Sequence, residues 1–126
     1  MRRTMLKSKI QEARVTSKEI HYAGSLAIDR ELMEAADILC GEEIHVLNLA
    51  NGARLVTYAI PAAAGSGIIS VKGAAARLIE KGDQVLVLSY ADYDEEELET
   101  YSHRIIFVDE NNHLLRVEDR TEEDYG

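Results

Sequence analysis

The sequence predicts a single, mainly β domain with a few short helices. Apolar and β-branched residues fall in short runs that alternate with polar residues, a pattern typical of strands. Turn signals such as Asn51-Gly52 and Gly65-Ser66 separate these runs, and the helical patterns between them are brief. We expect about seven strands, and their closure into a small barrel would protect the strand edges.

The composition is that of an ordinary globular protein and argues against several functions. The 126 residues suffice for one domain with one core. The net charge of -9 argues against general nucleic-acid binding, which needs clustered Lys and Arg. No apolar h-region follows residues 1–3 and no apolar run approaches a membrane span, so we expect neither a signal peptide nor a membrane anchor. Cys40 is alone and the histidines show no ligand spacing, so we expect a reducing, cytoplasmic location without disulfide or metal site.

The strand patterns begin near the amino terminus. Two strands are predicted over residues 3–6 and 10–16, where apolar and β-branched residues alternate loosely with polar ones. Thr16-Ser17-Lys18-Glu19 then has the spacing of a capping box, which predicts one helical turn. Strand character resumes over residues 26–28.

A short helix is predicted from Asp29, because aspartate is a favoured N-cap residue. Its apolar face would consist of Leu32, Met33 and Ala36. A hairpin follows, with strands over residues 44–49 and 53–60. Asn51-Gly52 between them suits a type I′ turn, which needs positive φ at both central residues.

The second half of the chain again alternates strands with short helices. A loop of small residues at 61–67 comes first. Helices are predicted over 73–81, where Gly82 would close the helix, and over the acidic residues 92–101. The remaining segments are strands at 68–71, 84–90, 103–108 and 114–117, and a polar, frayed tail at 119–126.

The Gly24-Ser25 pair is the candidate reactive element of the chain. Glycine permits backbone conformations that other residues avoid, and the following hydroxyl lies within reach of the glycine carbonyl. Under backbone strain, Ser25 Oγ could attack that carbonyl and convert the amide to an ester, and elimination and hydrolysis would then leave a pyruvoyl group. An ordinary loop is the alternative, and Gly65-Ser66 is locally an equal candidate.

A second group of candidate functional residues lies on the strand predicted over 53–60. Alternation places Arg54 and Tyr58 on one face, where an arginine fork suits a carboxylate and a tyrosine hydroxyl can donate a proton. A surface arginine beside a half-buried tyrosine is the alternative. Thr57 alternates to the opposite face, so it would serve the same site only through a bulge or between subunits.

Two further positions have both a functional and a structural interpretation. Lys9 is either a solvated strand lysine or a cation aimed at a carboxylate. The helix predicted to start at Gly73-Ala74-Ala75 either offers free N–H groups to an anion or permits close packing.

The chain resembles the bacterial pyruvoyl-dependent aspartate 1-decarboxylases, and the resemblance runs from Met1 to about Val117. Many motifs match in order and at the spacing of that family, which makes the resemblance far more specific than a lone Gly-Ser pair. The matching residues are Arg3-Thr4-Met5-Leu6 with Lys9, Val15-Thr16, His21-Tyr22-Ala23-Gly24-Ser25 with Ile28-Asp29, Ala35-Ala36, Asn51-Gly52-Ala53-Arg54, Thr57-Tyr58-Ala59-Ile60, Gly65-Ser66-Gly67, Gly73-Ala74-Ala75-Ala76 and Gly82-Asp83.

The resemblance implies a fold and a maturation step. The fold would be a double-psi β-barrel, assembled as a homotetramer with active sites between neighbouring subunits. The chain would be an inactive proenzyme, or zymogen, that cuts itself between Gly24 and Ser25 into a small β chain (1–24) and a large α chain (25–126). Ser25 would become the pyruvoyl group, and Ser66 would belong to an ordinary loop.

The resemblance also implies a reaction. L-Aspartate would form a Schiff base with the pyruvoyl group and lose its α-carboxylate as CO₂, which leaves β-alanine, a precursor of pantothenate and coenzyme A. Such an enzyme is a carbon–carbon lyase (a carboxy-lyase) that uses neither pyridoxal phosphate nor a metal, because the pyruvoyl group is its electron sink.

The match to the family motifs also implies a role for each candidate site residue. Tyr58 would be the proton donor, and Arg54 and Lys9 would hold the substrate carboxylates. Thr57 would bind substrate and assist the self-cleavage. The backbone of Gly73, Ala74 and Ala75 would line the substrate site.

Two positions depart from the family pattern, and alternatives to the leading function stay open. Lys72 stands where the family usually has Asn, and Gln11 where His is common. We expect Lys72 to affect processing or substrate fit and Gln11 to have a smaller effect. The same machinery acting on glutamate is the first alternative, and an unprocessed, non-catalytic barrel that binds a ligand or partner is the second. Whether a maturation factor assists the cleavage does not follow from the sequence.

Overall fold

The computed structural model describes residues 1–22 and 24–125, which form nine strands and four short helical segments. The strands are β1 (Arg3–Arg14), β2 (Ser17–Glu19), β3 (Leu26–Asp29), β4 (Glu43–Asn48), β5 (Arg54–Ala62), β6 (Ile69–Lys72), β7 (Gln84–Tyr93), β8 (His103–Val108) and β9 (Leu114–Arg120). The helical segments are α1 (Arg30–Ala36), α2 (Glu95–Leu98) and two 3-10 helices at Gly73–Arg77 and Glu122–Tyr125.

The strands form one sheet in the order β2-β6-β3-β5-β4-β7-β1-β8-β9. Three neighbouring pairs are parallel, namely β2 with β6, β3 with β5, and β1 with β8, and the others are antiparallel. Parallel neighbours need crossover connections, so the chain passes repeatedly across the sheet instead of folding back in hairpins alone. The predicted mainly β, barrel-like fold with a few short helices is confirmed.

The core collects buried aliphatic side chains from strands that lie far apart in the sequence. Ile10 of β1, Ile28 of β3, Leu32 of α1, Ile69 of β6 and Ile106 of β8 are all at most 1% exposed. Burial of each such side chain stabilises the fold by about 1.5–3 kcal/mol. The core therefore joins strands from both halves of the sheet order into one unit.

The longest of the nine described strands is β1, with 12 residues. It pairs antiparallel with β7 and parallel with β8, and it merges the two strands predicted over 3–6 and 10–16. Glu12 has φ 53°, and the register with β7 shifts between Ile10 and Ala13. This bulge lets one long strand bend around the core.

The start of α1 confirms the N-cap predicted at Asp29. The Asp29 carboxylate accepts a hydrogen bond from Glu31 N, and the apolar face is buried as predicted. The same carboxylate, itself 1% exposed, also accepts hydrogen bonds from Gly65 N (3.0 Å) and Gly67 N (2.8 Å). Asp29 therefore holds the 61–67 loop against the start of the helix.

The helical turn predicted at Thr16-Ser17-Lys18-Glu19 is wrong, because residues 17–19 form β2. The Thr16 hydroxyl does not cap a helix: it donates to Ile69 O and accepts from Ile69 N. Since β2 pairs parallel with β6, hydrogen bonds to a distant strand replace those of the local capping motif.

The two-residue type I′ turn predicted at Asn51-Gly52 is also wrong. β4 ends at Asn48 and β5 begins at Arg54, so the connection spans residues 49–53. Gly52 has φ 74°, whereas Asn51 is absent from the positive-φ residues of the described chain. The Asn48 and Asn51 side-chain amides both donate to Leu78 O, and this contact with another loop selects the wider turn.

The helix predicted over 73–81 is shorter than expected. A 3-10 helix covers Gly73–Arg77 and is followed by Leu78, whose carbonyl accepts from the two asparagine side chains named above. Ile79 is fully buried, so the chain turns into the core at the point where a helix would continue along the surface.

The carboxyl-terminal segments are more regular than predicted. β7 extends to Tyr93 through its pairing with β1, which leaves only Glu95–Leu98 for the acidic helix. β9 runs to Arg120, and Tyr125 Oη lies 2.7 Å from His103 Nε2. The described part of the tail predicted to fray is thus structured, and Gly126 lies outside the described residues. Among residues 1–22 and 24–125, no helix is long and apolar enough to cross a membrane.

Replacement of Asp29 tests its role in joining α1 to the 61–67 loop. Asp29→Ala leaves three backbone N–H groups without their acceptor, so we expect it to lower the free energy of unfolding by about 2–4 kcal/mol. Asp94→Ala removes the half-buried N-cap of α2, which accepts a single backbone hydrogen bond there, and should cost only about 0.5–1 kcal/mol. Urea denaturation of both variants measures the difference, and equal losses would contradict this role of Asp29.

Candidate active site

The backbone is unusual at the Gly24-Ser25 peptide. Gly24 has φ 121° and Ser25 has φ 115°. Glycine tolerates such angles, but a residue with a side chain adopts them only when the surrounding structure imposes them, at a cost of about 1–3 kcal/mol. Strain is thus concentrated at the dipeptide that the sequence singles out.

The Ser25 hydroxyl is buried and has no hydrogen-bond partner in the described part of the chain. Ser25 is 1% exposed, and its Oγ finds no hydrogen-bond partner among residues 1–22 and 24–125. A buried hydroxyl normally satisfies its donor and acceptor capacity, because desolvation without a hydrogen bond costs about 1–3 kcal/mol. Among the described residues, no hydrogen bond offsets the cost of burying the Ser25 hydroxyl.

The competing Gly65-Ser66 pair has a different environment. Ser66 is exposed, its N–H donates to Ala63 O, and its hydroxyl accepts a hydrogen bond from Ile68 N. Gly65 has positive φ, but Ser66 does not belong to the positive-φ residues of the described chain. The second pair is therefore an ordinary turn, which leaves Gly24-Ser25 as the better candidate.

Strand register explains which residues surround Ser25. β3 starts at Leu26, which pairs with Ala59 of β5 on one side and Val71 of β6 on the other. Extension of both registers by one residue places Ser25 between Tyr58 and Lys72. The Lys72 N–H accordingly donates to Ser25 O at 3.0 Å.

Tyr58 points toward the Gly24 carbonyl. Its hydroxyl donates to Gly24 O at 3.4 Å, which is a long and therefore weak hydrogen bond. Along β5, Arg54 and Tyr58 are exposed while Thr57 is half-buried on the opposite face, so the predicted alternation is confirmed. The structure thus brings Tyr58 to the Gly24-Ser25 peptide and places Arg54 farther along the same face.

A histidine that the sequence pattern did not single out holds Arg54. Arg54 Nη1 lies 3.0 Å from His45 Nδ1. A guanidinium only donates, so Nδ1 accepts and the imidazole proton of a neutral ring lies on Nε2. His45 packs edge-on against Tyr90 with ring centroids 4.9 Å apart. The predicted hairpin was the feature of the sequence that could have indicated this contact, because it places residues 45 and 54 on adjacent strands, β4 and β5.

The 3-10 helix at Gly73–Arg77 begins against the Gly24-Ser25 peptide. A Cβ on Gly73 would lie 2.8 Å from both N and Cα of Gly24 and 3.0 Å from Tyr22 O, so only glycine fits there. Ala74 is exposed and Ala75 is half-buried. The close-packing interpretation of Gly73 is therefore correct, and the packing is against Gly24 itself.

Lys9 lies on a strand that is not adjacent to the strand of Tyr58. It belongs to β1, which is separated from β5 by β4 and β7 in the sheet order. The Lys9 charge acts on His103: burial lowers the pKa of His103, and the Lys9 and Arg120 charges lower it further. Gln11, also on β1, pairs with Phe107 of β8. Strand order within one chain thus does not place Lys9 beside Tyr58.

Together, the fold and the site define a β-barrel-like domain whose candidate reactive group is a serine in a strained internal Gly-Ser peptide. The protein-family model described as aspartate decarboxylase matches residues 1–115. Since this match covers most of the 126 residues, the chain belongs to the aspartate decarboxylase family. The resemblance noted from the motifs is thereby confirmed at the level of the family.

The contact between Gly73 and Gly24 gives a prediction for stability. Gly73→Ala adds a Cβ at φ 81° against backbone atoms, and we expect a loss of about 2–4 kcal/mol in the free energy of unfolding. Gly82→Ala is the matched control, because φ is 91° there but an added Cβ would meet no atom within 4 Å. It should cost only about 1–2 kcal/mol. Chemical denaturation that finds the two losses equal would contradict the close contact.

Proposed function

We propose that the chain is a proenzyme that cuts itself between Gly24 and Ser25 and then converts L-aspartate to β-alanine and CO₂. The observation that carries this proposal is the buried Ser25 hydroxyl, which has no hydrogen-bond partner among residues 1–22 and 24–125 and lies in a peptide with positive φ at both residues. Membership of the aspartate decarboxylase family supports the substrate and the reaction class.

The cleavage chemistry is an acyl shift from nitrogen to oxygen. Ser25 Oγ attacks the Gly24 carbonyl carbon, the C–N bond breaks, and the released Ser25 nitrogen takes up a proton. Elimination of the resulting ester frees the Gly24 carboxylate and leaves dehydroalanine, which water converts to a pyruvoyl group with loss of ammonia. The strain at Gly24 and Ser25 favours the first step, because it raises the free energy of the peptide that breaks.

The surroundings of Ser25 fit a pyruvoyl group. The residue is buried, its side-chain oxygen is not engaged by another described residue, and glycine on the facing 3-10 helix leaves room at the peptide. Such a group supplies an electron sink for the electrons left behind when CO₂ departs.

The remaining side chains divide substrate binding and proton transfer. Tyr58, whose hydroxyl reaches the Gly24–Ser25 peptide, would donate the proton to the carbon that lost CO₂, which is the α carbon of aspartate and the β carbon of β-alanine. Arg54, oriented by His45, would bind a substrate carboxylate with its planar fork. Thr57 would bind substrate and assist cleavage, and the backbone of Gly73, Ala74 and Ala75 would line the substrate site.

A neighbouring copy would complete the site in a homotetramer. Lys9 is proposed as a second carboxylate ligand, yet two strands separate it from the strand of Tyr58 within one chain. This separation supports a site shared between subunits, with Lys9 contributed across the interface. The proposed product, β-alanine, would enter pantothenate synthesis in the cytoplasm.

Intact-mass spectrometry of the freshly purified protein tests the proposal. Two fragments divided after Gly24, the larger with a pyruvoyl terminus, are expected, and β-alanine should form from L-aspartate. A single uncut chain would contradict the proposal and favour a non-catalytic barrel. Turnover of L-glutamate in preference to L-aspartate by the same preparation would overturn the substrate assignment.

Ser25→Ala should abolish both cleavage and decarboxylation, since it removes the attacking oxygen without removing any hydrogen bond to a described residue. Ser66→Ala is the matched control in the other Gly-Ser pair and should mature normally. Mass spectrometry and a β-alanine assay measure the two effects, and an active, cleaved Ser25→Ala protein would refute the role of Ser25.

Tyr58→Phe should leave cleavage near normal and reduce turnover by about 10²- to 10⁴-fold, the range for loss of a general acid. Cleavage persists because the hydrogen bond from Tyr58 to Gly24 O is long. Tyr93→Phe, outside the candidate site, serves as the control. Unchanged kcat in Tyr58→Phe would remove Tyr58 as the proton donor.

A further inference from the structure

Lys72 is an anchor for the strand that precedes the reactive peptide. In the parallel pairing of β2 with β6, Glu19 lies opposite Lys72, and Lys72 Nζ is 3.1 Å from Glu19 Oε2. The Lys72 side chain is 17% exposed and that of Glu19 is 58% exposed, so the lysine is the better shielded partner. The contact fixes the end of β2 against the end of β6.

The same ammonium group also contacts the residue nearest to the reactive peptide on the described upstream side. Lys72 Nζ lies 4.8 Å from the centroid of the Tyr22 ring, within the range of a cation–π interaction. Tyr22 is 52% exposed, so burial in the core does not hold its ring. Lys72 therefore holds two points of the segment that leads into Gly24.

The backbone of Lys72 holds the other side of the peptide. Its N–H donates to Ser25 O at 3.0 Å, and the next residue, Gly73, packs against Gly24. One residue thus contacts the chain before and after the Gly24-Ser25 bond. After cleavage the upstream end would lose its covalent link to Ser25, and the side chain of Lys72 would remain as a link between the two fragments.

We propose that Lys72 is a positioning residue for self-cleavage: its ion pair with Glu19 and its contact with Tyr22 hold the Gly24 carbonyl within reach of Ser25 Oγ. This inference rests on the proposed function. Both contacts belong to the side chain, so substitution of Lys72 removes them and leaves the backbone hydrogen bond to Ser25 in place. The lysine therefore acts on the geometry of the reacting atoms through the neighbouring segment.

The experiment measures the rate of cleavage of newly made chains. The full-length chain is synthesised in a cell-free translation reaction, and intact-mass spectrometry follows the fraction cut after Gly24. Lys72→Met keeps the length of the side chain but loses its charge, and we expect cleavage about tenfold slower, equivalent to about 1.4 kcal/mol in the barrier. Lys72→Arg keeps a cation for both partners and should mature at nearly the wild-type rate.

Lys18→Met is the matched control. Lys18 lies on β2 directly before Glu19, the ion-pair partner of Lys72, and its own Nζ forms an ion pair of 2.8 Å with Glu80 Oε1 at similar exposure. Its loss should lower stability as much as the loss of Lys72 charge does, yet leave cleavage unchanged. Thermal denaturation of Ser25→Ala versions of both variants, which stay uncut, compares their stabilities.

The outcomes separate the two proposals. Slow cleavage of Lys72→Met with normal cleavage of Lys72→Arg and Lys18→Met supports the role of Lys72. Equal cleavage rates for Lys72→Met and the wild-type chain overturn this inference and leave the proposed function standing, as does equal slowing in Lys18→Met. A wild-type chain that stays uncut overturns the proposed function and this inference with it.

Discussion

The pairing of β3 on both of its edges is the constraint on which the rest of the site depends. Leu26 is hydrogen-bonded into β5 and β6 at once, and every residue of β3 is buried. Ser25 directly precedes this strand, so its backbone cannot relax without breaking pairs on two sides. The pairing of β3 on both edges keeps φ positive at Gly24 and Ser25. The free energy of this pairing holds the strained peptide in place.

Local patterns in the sequence predicted those features that depend on neighbouring residues. The N-cap at Asp29 and the shared face of Arg54 and Tyr58 follow from helix and strand periodicity, and both are found in the structure. The mainly β fold class followed from the same periodicity. The family motifs indicated Gly24-Ser25, not Gly65-Ser66, as the cleavage site. In the structure the two pairs differ: Ser25 Oγ has no hydrogen-bond partner among the described residues, whereas Ser66 Oγ accepts a hydrogen bond from Ile68 N.

Local patterns could not predict features that depend on contacts between residues far apart in the sequence. Residues 17–19 have a helix-start signal but form a strand, because Thr16 and Ile69 exchange hydrogen bonds. The ion pair of Lys72 joins residues 53 positions apart, and no local rule indicates that Glu19 is its partner. Likewise, the pairing of His45 with Arg54 depends on the turn geometry of residues 49–53, which other loops control.

The position of β1 has a consequence for a chain that is cut after Gly24. β1 lies within the smaller fragment, yet it pairs with β7 and β8 of the larger one along most of its length. The fragments would therefore stay together without a covalent link, as a non-covalent heterodimer that shares one core. Unfolding would then change from a unimolecular to a bimolecular equilibrium, and its midpoint would rise with protein concentration. Maturation would make the fold harder to regain after denaturation, since the two pieces must first find each other.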